Sequence, residues 1–308
     1  MPSSVRIREV GPRDGIQSER AQVATADKIR LLDALSETGL RYIEAVSFVS
    51  PKAIPQMADA REVWAGMKRN RDVFYSALVP NRRGAEIAAE VGVDGMQVFI
   101  AASESYNLKN VRRSVKDSIQ NVADVVAVGR DAGIPVEGTL STAFGCPYEG
   151  DVPPSRVVEV GGWMIDEGIG SISFGDTTGM ATPRRVRDVI DAVRDGFPNL
   201  ELNMHFHDTR GTGLANVVTA LEMGIDYFDS SVGGMGGSPY AEGATGNITT
   251  EDLVHMLGDM DIETGIDLER LIEAARIAQS FIKGELPSKM LKAGPRWSVA
   301  GPVTAPGP

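Results

Sequence analysis

The chain has 308 residues, 42% of them apolar and 24% charged, and its 31 Lys plus Arg against 42 Asp plus Glu give a formal charge of −11. That length suits one α/β barrel and buries about 75% of the unfolded surface, so the core needs neither a disulfide nor a structural metal. An acidic chain without a Lys/Arg block is excluded as an electrostatic binder of nucleic acid or of an anionic membrane surface. The single cysteine, Cys146, excludes a disulfide framework and a Cys-rich zinc site, and fits a reducing cytoplasm. The first residues, MPSSVRIRE, carry no apolar signal core, and no run is apolar enough to span a bilayer. The expectation is a soluble cytoplasmic enzyme.

Strand-like and helix-like segments alternate along the chain. A strand over Val5–Val10 ends at Gly11-Pro12, and a helix over Thr25–Thr38 follows, with Thr25 as N-cap and Gly39 as stop. Further strands are expected at Tyr42–Val46, Val73–Leu78, Met96–Ala101, Val136–Leu140, Ser171–Phe174, Leu202–Phe206 and Tyr227–Ser231. Helices are expected between them, near Ala58–Arg69, Arg82–Glu90, Ser114–Ala132, Ser155–Glu167, Pro183–Asp195 and Gly213–Met223, with Glu251–Leu257 after the last strand. The fragments LSETGLRYIEA, AAEVGVDGMQV, IDEGIGSIS and LEMGIDYFD share one plan: a helix end, a glycine turn, then a buried strand. Eight such units predict a (β/α)₈ TIM barrel. The alternative is an open doubly wound sheet, but no G-x-G-x-x-G follows the first strand. Asp267–Lys283 and Pro287–Leu291 add a C-terminal helical extension. Residues 1–293 are expected to form a single catalytic barrel domain, and the Gly/Pro-rich residues 294–308 a flexible tail.

Active sites of such barrels lie at the C-terminal ends of the strands. The polar residues expected there are Arg13 and Asp14 after the first strand, Glu44 and Ser47 on the second, and Ser103 and Glu104 after the fourth. Ser173 and Asp176 come from the sixth, and His205 and His207 from the seventh. Two of the chain's three histidines stand two apart on one strand, so both imidazoles share a face, an arrangement suited to a metal. The plainer alternative is a hydrogen-bonded polar pair. Asp14 would stand near them in a closed barrel, completing a two-histidine, one-carboxylate set, or else would simply pair with Arg13. Glu44, alone in an apolar run, needs a partner, and Arg13 is the candidate. Asp176 has helix capping as its plainer role. The loop Gly233–Asn247, with Ser238 and Tyr240, lacks the lysine of a P-loop and is read as a lid over substrate. Cys146 is read as a small apolar residue and His255 as a surface residue.

The stretches EVGPRDGIQSE, IEAVSFVSPKAIPQMAD, STAFGCPYEG, SFGDTTGMATP, HFHDTRGTGLAN and GGMGGSPYAEGATGNITTEDLVHML resemble the 3-hydroxy-3-methylglutaryl-CoA lyase family, from about residue 5 to residue 290. The resemblance implies a metal-dependent TIM-barrel lyase that cleaves hydroxymethylglutaryl-CoA to acetoacetate and acetyl-CoA, a step of leucine degradation. It implies a Mg²⁺ or Mn²⁺ held by Asp14, His205, His207 and Asn247. Arg13 would stabilise the enolate and Glu44 would orient it, while Ser47, Ser173 and Asp176 would line the acyl pocket. His205 or Asp14 would take the hydroxyl proton. An acyl-CoA substrate, a homodimer and a cytoplasmic location complete the expectation. Two positions depart from the family's pattern: Ser238 and Thr142 stand where relatives carry cysteine. The loop cysteine is the one implicated in proton transfer, so Ser238 puts ordinary lyase activity in question. A lyase for a different 3-hydroxy-acyl-CoA, and a metal- and acyl-CoA-binding homologue with weakened catalysis, are the alternatives.

Overall fold

The computed structural model describes residues 1–19, 21–237 and 246–298. Eight parallel strands close in sequence order into a barrel: β1 (Arg6–Glu9), β2 (Tyr42–Ser47), β3 (Phe74–Leu78), β4 (Gly95–Ala101), β5 (Val136–Ser141), β6 (Ser171–Gly175), β7 (Glu201–His205) and β8 (Tyr227–Ser230). Closure comes from β8 pairing with β1, which sets Arg8 opposite Asp229 and Glu9 opposite Ser230. The helices form the outer ring: α1 (Thr25–Leu35), α2 (Ala60–Gly66), α3 (Arg82–Val91), α4 (Glu104–Val111), α5 (Val115–Ala132), α6 (Pro154–Asp166), α7 (Pro183–Gly196), α8 (Gly213–Glu222) and α9 (Thr250–Asp259). Beyond them α10 (Leu268–Phe281) packs on α1, and α11 (Lys289–Ala293) follows. No helix among the described residues is long and apolar enough to cross a membrane.

The aliphatic core lies outside the strands, between them and the helices. Ile7, Ile43, Val98, Ile172, Phe174, Met204 and Phe228 are all buried there. The alternate residues of the same strands face the barrel axis, and many are polar: Arg8, Glu44, Gln97, Glu137, Ser173, Asn203 and Asp229. Helix ends follow the glycine signal. Gly133 closes α5 at φ 69°, a left-handed conformation that costs glycine nothing, and its N–H satisfies carbonyls of the last turn.

Two local elements add to those expected. Arg13 and Asp14 follow the first strand, as expected. They ride a one-turn π-helix, Gly11–Gly15, whose amides at 13, 14 and 15 all turn back to the carbonyl of Val10. Helix α4, ESYNLKNV, has too little apolar periodicity to stand out. It is held from outside by Asn107, which accepts from the Ala101 N–H and donates to the Arg113 carbonyl and Ser118 Oγ. Glu104 serves the start of α5, accepting from the Val115 N–H.

Candidate active site

The site opens at the C-terminal ends of the strands. Pro12 presets the wide turn, and the turn lifts Arg13 and Asp14 over the barrel mouth. Arg13 donates Nε to Glu44 Oε2 at 2.7 Å and Nη1 to Asp14 Oδ1 at 2.8 Å, while Nη2 lies 2.5 Å from Glu44. Glu44 is 1% exposed, so the guanidinium is locked by a buried carboxylate from the neighbouring strand. Burial tends to raise the Asp14 carboxyl, but the Arg13 guanidinium beside it outweighs this and holds Asp14 below its ordinary value.

His205 ends β7, and His207 follows at an isolated antiparallel bridge to Asn247. The two Nε2 atoms face each other at 3.2 Å. One ligand atom from each of Asp14, His205 and His207 lies within 4.8 Å of the others. Asn247 donates Nδ2 to Asp14 Oδ2 at 2.7 Å and to the Met235 carbonyl, and its Oδ1 is buried without a partner among the described residues. Burial and His205 push His207 down to about 3, so its ring is neutral. Two imidazole nitrogens at this spacing repel unless a proton or a cation lies between them. Adjacent ligands on one divalent ion, each near 2.1 Å from it, would be separated by about 3 Å. The donor set of neutral imidazole, carboxylate and amide oxygen therefore fits a divalent cation. Gly236 covers this corner at φ 109°; a Cβ there would lie 2.5 Å from Asn247 Nδ2 and 3.2 Å from Asp14 Oδ2.

Beneath the histidines runs a charged column that sequence reasoning missed. Asp229, on β8, accepts from His205 Nδ1 at 3.0 Å and forms a two-point pair with Arg8, with Nε at 2.8 Å and Nη2 at 2.9 Å. Arg8 continues to Glu137 at 2.7 Å. Gln97 joins this column to the upper one: with its amide nitrogen facing Glu44, its oxygen accepts from Arg8. The only sequence signal was period-2 polarity within short strands, which reads equally well as a solvent-facing side.

The sequence model of the family described as HMGL-like matches residues 4–278. The chain belongs to the HMGL-like family. A hydroxymethylglutaryl-CoA lyase of Bacillus subtilis is 48% identical over 291 residues, 94% of this chain and 97% of that one. A 3-hydroxy-3-isohexenylglutaryl-CoA/hydroxymethylglutaryl-CoA lyase of Pseudomonas aeruginosa is 46% identical over 276 residues, 90% of this chain and 92% of that one. Among solved structures, an HMG-CoA lyase of Acinetobacter baumannii in complex with coenzyme A and 3-methylmalate superposes with a TM-score of 0.93 at 39% identity, covering 98% of both chains.

In this HMGL-like chain the remaining expected residues are distributed unevenly. The cavity at the barrel mouth, about 160 Å³, is lined by Arg13, Asp14, Glu44, His205 and His207, with Leu78, Phe99 and Tyr106 opposite. Ser47, Ser173 and Asp176 are fully buried and do not line it. Ser173 instead donates to Asp229 Oδ2 at 3.0 Å. Asp176 braces the loop after β6, where one oxygen accepts from the Met180 and Ala181 amides, and burial pushes its carboxyl up to about 7. Ser238 and Tyr240 lie outside the described residues. Cys146 is buried, and its Sγ accepts from the Tyr148 N–H. Thr142, the other departure from the family pattern, is buried at φ 56°, an unusual backbone for a β-branched residue, and is tied to Ser103 and Thr177. His255 accepts from the Arg296 N–H and stacks on Trp297, away from the cavity.

Proposed function

We propose that this chain is a divalent-metal-dependent carbon–carbon lyase that cleaves 3-hydroxy-3-methylglutaryl-CoA to acetoacetate and acetyl-CoA. The convergence of Asp14, His205 and His207 beside a locked Arg13, in an HMGL-like chain, carries this reading. Asp14, His205, His207 and Asn247 would hold a Mg²⁺ or Mn²⁺, whose charge would make the substrate's 3-hydroxyl more acidic. Asp14 takes the hydroxyl proton, because both ring nitrogens of His205 are engaged, Nδ1 by Asp229 and Nε2 by the cation. The C2–C3 bond then breaks as the alkoxide becomes a ketone, and its electron pair moves onto the thioester as an enolate. Arg13 uses three of its five N–H donors on Glu44 and Asp14, leaving two for that oxygen. Because the guanidinium is already fixed, it stabilises the growing charge without reorganising. A proton returns to the enolate carbon from Ser238 or water.

The coenzyme A moiety would occupy the groove beside the cavity, about 1010 Å³, which shares Gln17, Ile54, Leu78, Phe99 and Asn110 with it. Lys52, Lys109, Arg112 and Arg113 stand along this groove in an otherwise acidic chain, as phosphates require. The coenzyme A complex of the Acinetobacter relative supports this use. The Pseudomonas relative's two named substrates support a second reading, in which a larger 3-substituent is accepted. We also place the protein in the cytoplasm as a homodimer, its barrel and C-terminal helices forming one domain over residues 1–293; light scattering tests the dimer.

The deciding experiment incubates purified protein and Mg²⁺ or Mn²⁺ with a panel of 3-hydroxy-acyl-CoAs. Acetoacetate and acetyl-CoA should appear from hydroxymethylglutaryl-CoA, and a chelator should abolish them. No product with either ion sinks the proposal; faster turnover of a bulkier substrate selects the second reading. In the same assay Ser238→Cys, which supplies a more acidic proton donor, should raise cleavage if proton return limits the rate.

A further inference from the structure

Asp229 lies inside the barrel, one layer beneath the candidate cation site, and is 3% exposed. We propose that Asp229, anchored by Arg8, is a positioning residue for the lyase reaction: it fixes His205 as the tautomer with its proton on Nδ1, so that Nε2 presents a lone pair to the cavity. The proposal rests on the reading of His205 as a cation ligand.

Asp229 Oδ1 receives Arg8 Nε at 2.8 Å and Asn203 Nδ2 at 2.7 Å. Oδ2 receives Arg8 Nη2 at 2.9 Å, Ser173 Oγ at 3.0 Å and His205 Nδ1 at 3.0 Å. A carboxylate in a two-point pair with a guanidinium is ionised, and an ionised carboxylate can only accept. Arg8 and the Asn203 amide nitrogen can only donate. The fifth contact must therefore also be a donation, and Nδ1 carries the proton. A neutral imidazole has one proton, so Nε2 has none. That bare nitrogen is the one lying 3.2 Å from His207 Nε2.

The column leaves the carboxylate no freedom to turn away. Ser173 and Asn203 are both fully buried, and Arg8 is gripped on its far side by Glu137 at 2.7 Å. Ser173 thus reaches the site through Asp229. The opposite tautomer would place an N–H where the cation needs an electron pair.

The test is Asp229→Asn. With its oxygen kept on Arg8 Nε and Asn203, its NH₂ takes the place of Oδ2: Ser173 can turn to accept, Arg8 Nη2 loses its acceptor, and His205 Nδ1 accepts and surrenders its proton to Nε2. Imidazole ¹⁵N shifts of the metal-free protein, in buffer alkaline enough for a neutral ring, should show Nδ1 protonated in the wild type and Nε2 protonated in the variant. Mn²⁺ affinity by titration calorimetry should fall about 10–100-fold, as for other partners of metal-ligating histidines. The loss should appear in kcat, with KM for the acyl-CoA nearly unchanged. Asp229→Glu keeps an acceptor-only group and should keep the wild-type tautomer. The wild-type spectrum decides the inference even if Asp229→Asn does not fold: a proton on Nε2 overturns it, as does an Asp229→Asn protein with unaltered Mn²⁺ affinity. Wild-type protein that binds no Mn²⁺ yet shows the Nδ1 proton would instead reject the cation-site reading and leave the tautomer assignment standing.

Discussion

Asp229 and Glu9 are buried acidic side chains on two strands that pair with each other, yet they face opposite sides of the barrel wall. Asp229 points to the axis and meets a guanidinium, and although burial opposes ionisation, Arg8 and His205 hold its carboxyl well below the usual range. Glu9 points outward and meets no cation among the described residues. It accepts from the Gly11 and Val232 amides and from Thr250 Oγ1, and burial pushes it up to about 7. Glu251 stands beside it on the outer side, accepting from the Gly233 amide, and burial pushes it up to about 8. The inner carboxylate is a permanent charge that shapes the site. The outer two are struts that tie the Arg13–Asp14 turn and the root of the glycine loop to the barrel, and they change charge near neutrality.

Breaking the inner column should have the largest effect. Arg8→Met removes the partner of both Asp229 and Glu137, leaving buried charge uncompensated at a cost of about 3–5 kcal/mol. Urea denaturation measures this; a loss under about 1 kcal/mol would show that water already screens the column. Next comes Arg13→Lys, which keeps the charge but loses the fork that grips Glu44 and Asp14. Both kcat and kcat/KM should fall on the order of 10²–10³-fold, the usual loss for one fixed donor to a developing oxyanion. A raised KM with unchanged kcat would make Arg13 a binding residue only.

The outer struts should show themselves through pH. An unfolded glutamate titrates near 4.5, whereas native Glu9 does so at about 7 and Glu251 at about 8. Between those values the native protein holds protons that the unfolded chain has released, so unfolding free energy should fall as pH rises. The contribution is fully present below about 4.5 and is lost as pH passes through 7 and 8, at about 1.4 kcal/mol per unit for each group. Glu9→Gln and Glu251→Gln keep an acceptor for the loop amides and should flatten this slope. A wild-type stability that rises steadily from pH 5 to pH 8 would mean that the struts stay ionised.

The same division explains what was legible in the sequence. The barrel was legible because each unit repeats a helix end, a glycine and an apolar strand, and the outer core obeys that pattern. Arg13, Asp14, His205 and His207 stood out because charged and ring side chains at strand ends have few plain structural uses. Arg8 and Asp229 did not, because RIRE and YFDS each put polar residues on both faces, Arg8 and Asp229 towards the axis and Glu9 and Ser230 outward, so neither strand shows a clean alternation that marks its inner side. Asn247 was legible only through family resemblance, since its place depends on a bridge to His207 from far along the chain. Helix α4 was lost for the opposite reason: its order comes from Asn107 contacts with other segments rather than from its own periodicity.

The smallest effect is expected where a buried ionisable group belongs to neither set. Cys146 is fully buried in a short strap closed by its own backbone pair with Gly150, and its sulfur accepts from the Tyr148 amide. It does not line the cavity beside the candidate cation site. Cys146→Ser keeps an acceptor for Tyr148 in a slightly smaller volume. It should leave kcat and KM unchanged and cost about 1 kcal/mol or less, the penalty of burying a hydroxyl that is mostly satisfied. Activity and urea denaturation of the same sample would check both halves. A loss of turnover without a loss of stability would place a thiol in the chemistry after all, and would move the search for the proton donor from Ser238 to the loop after β5.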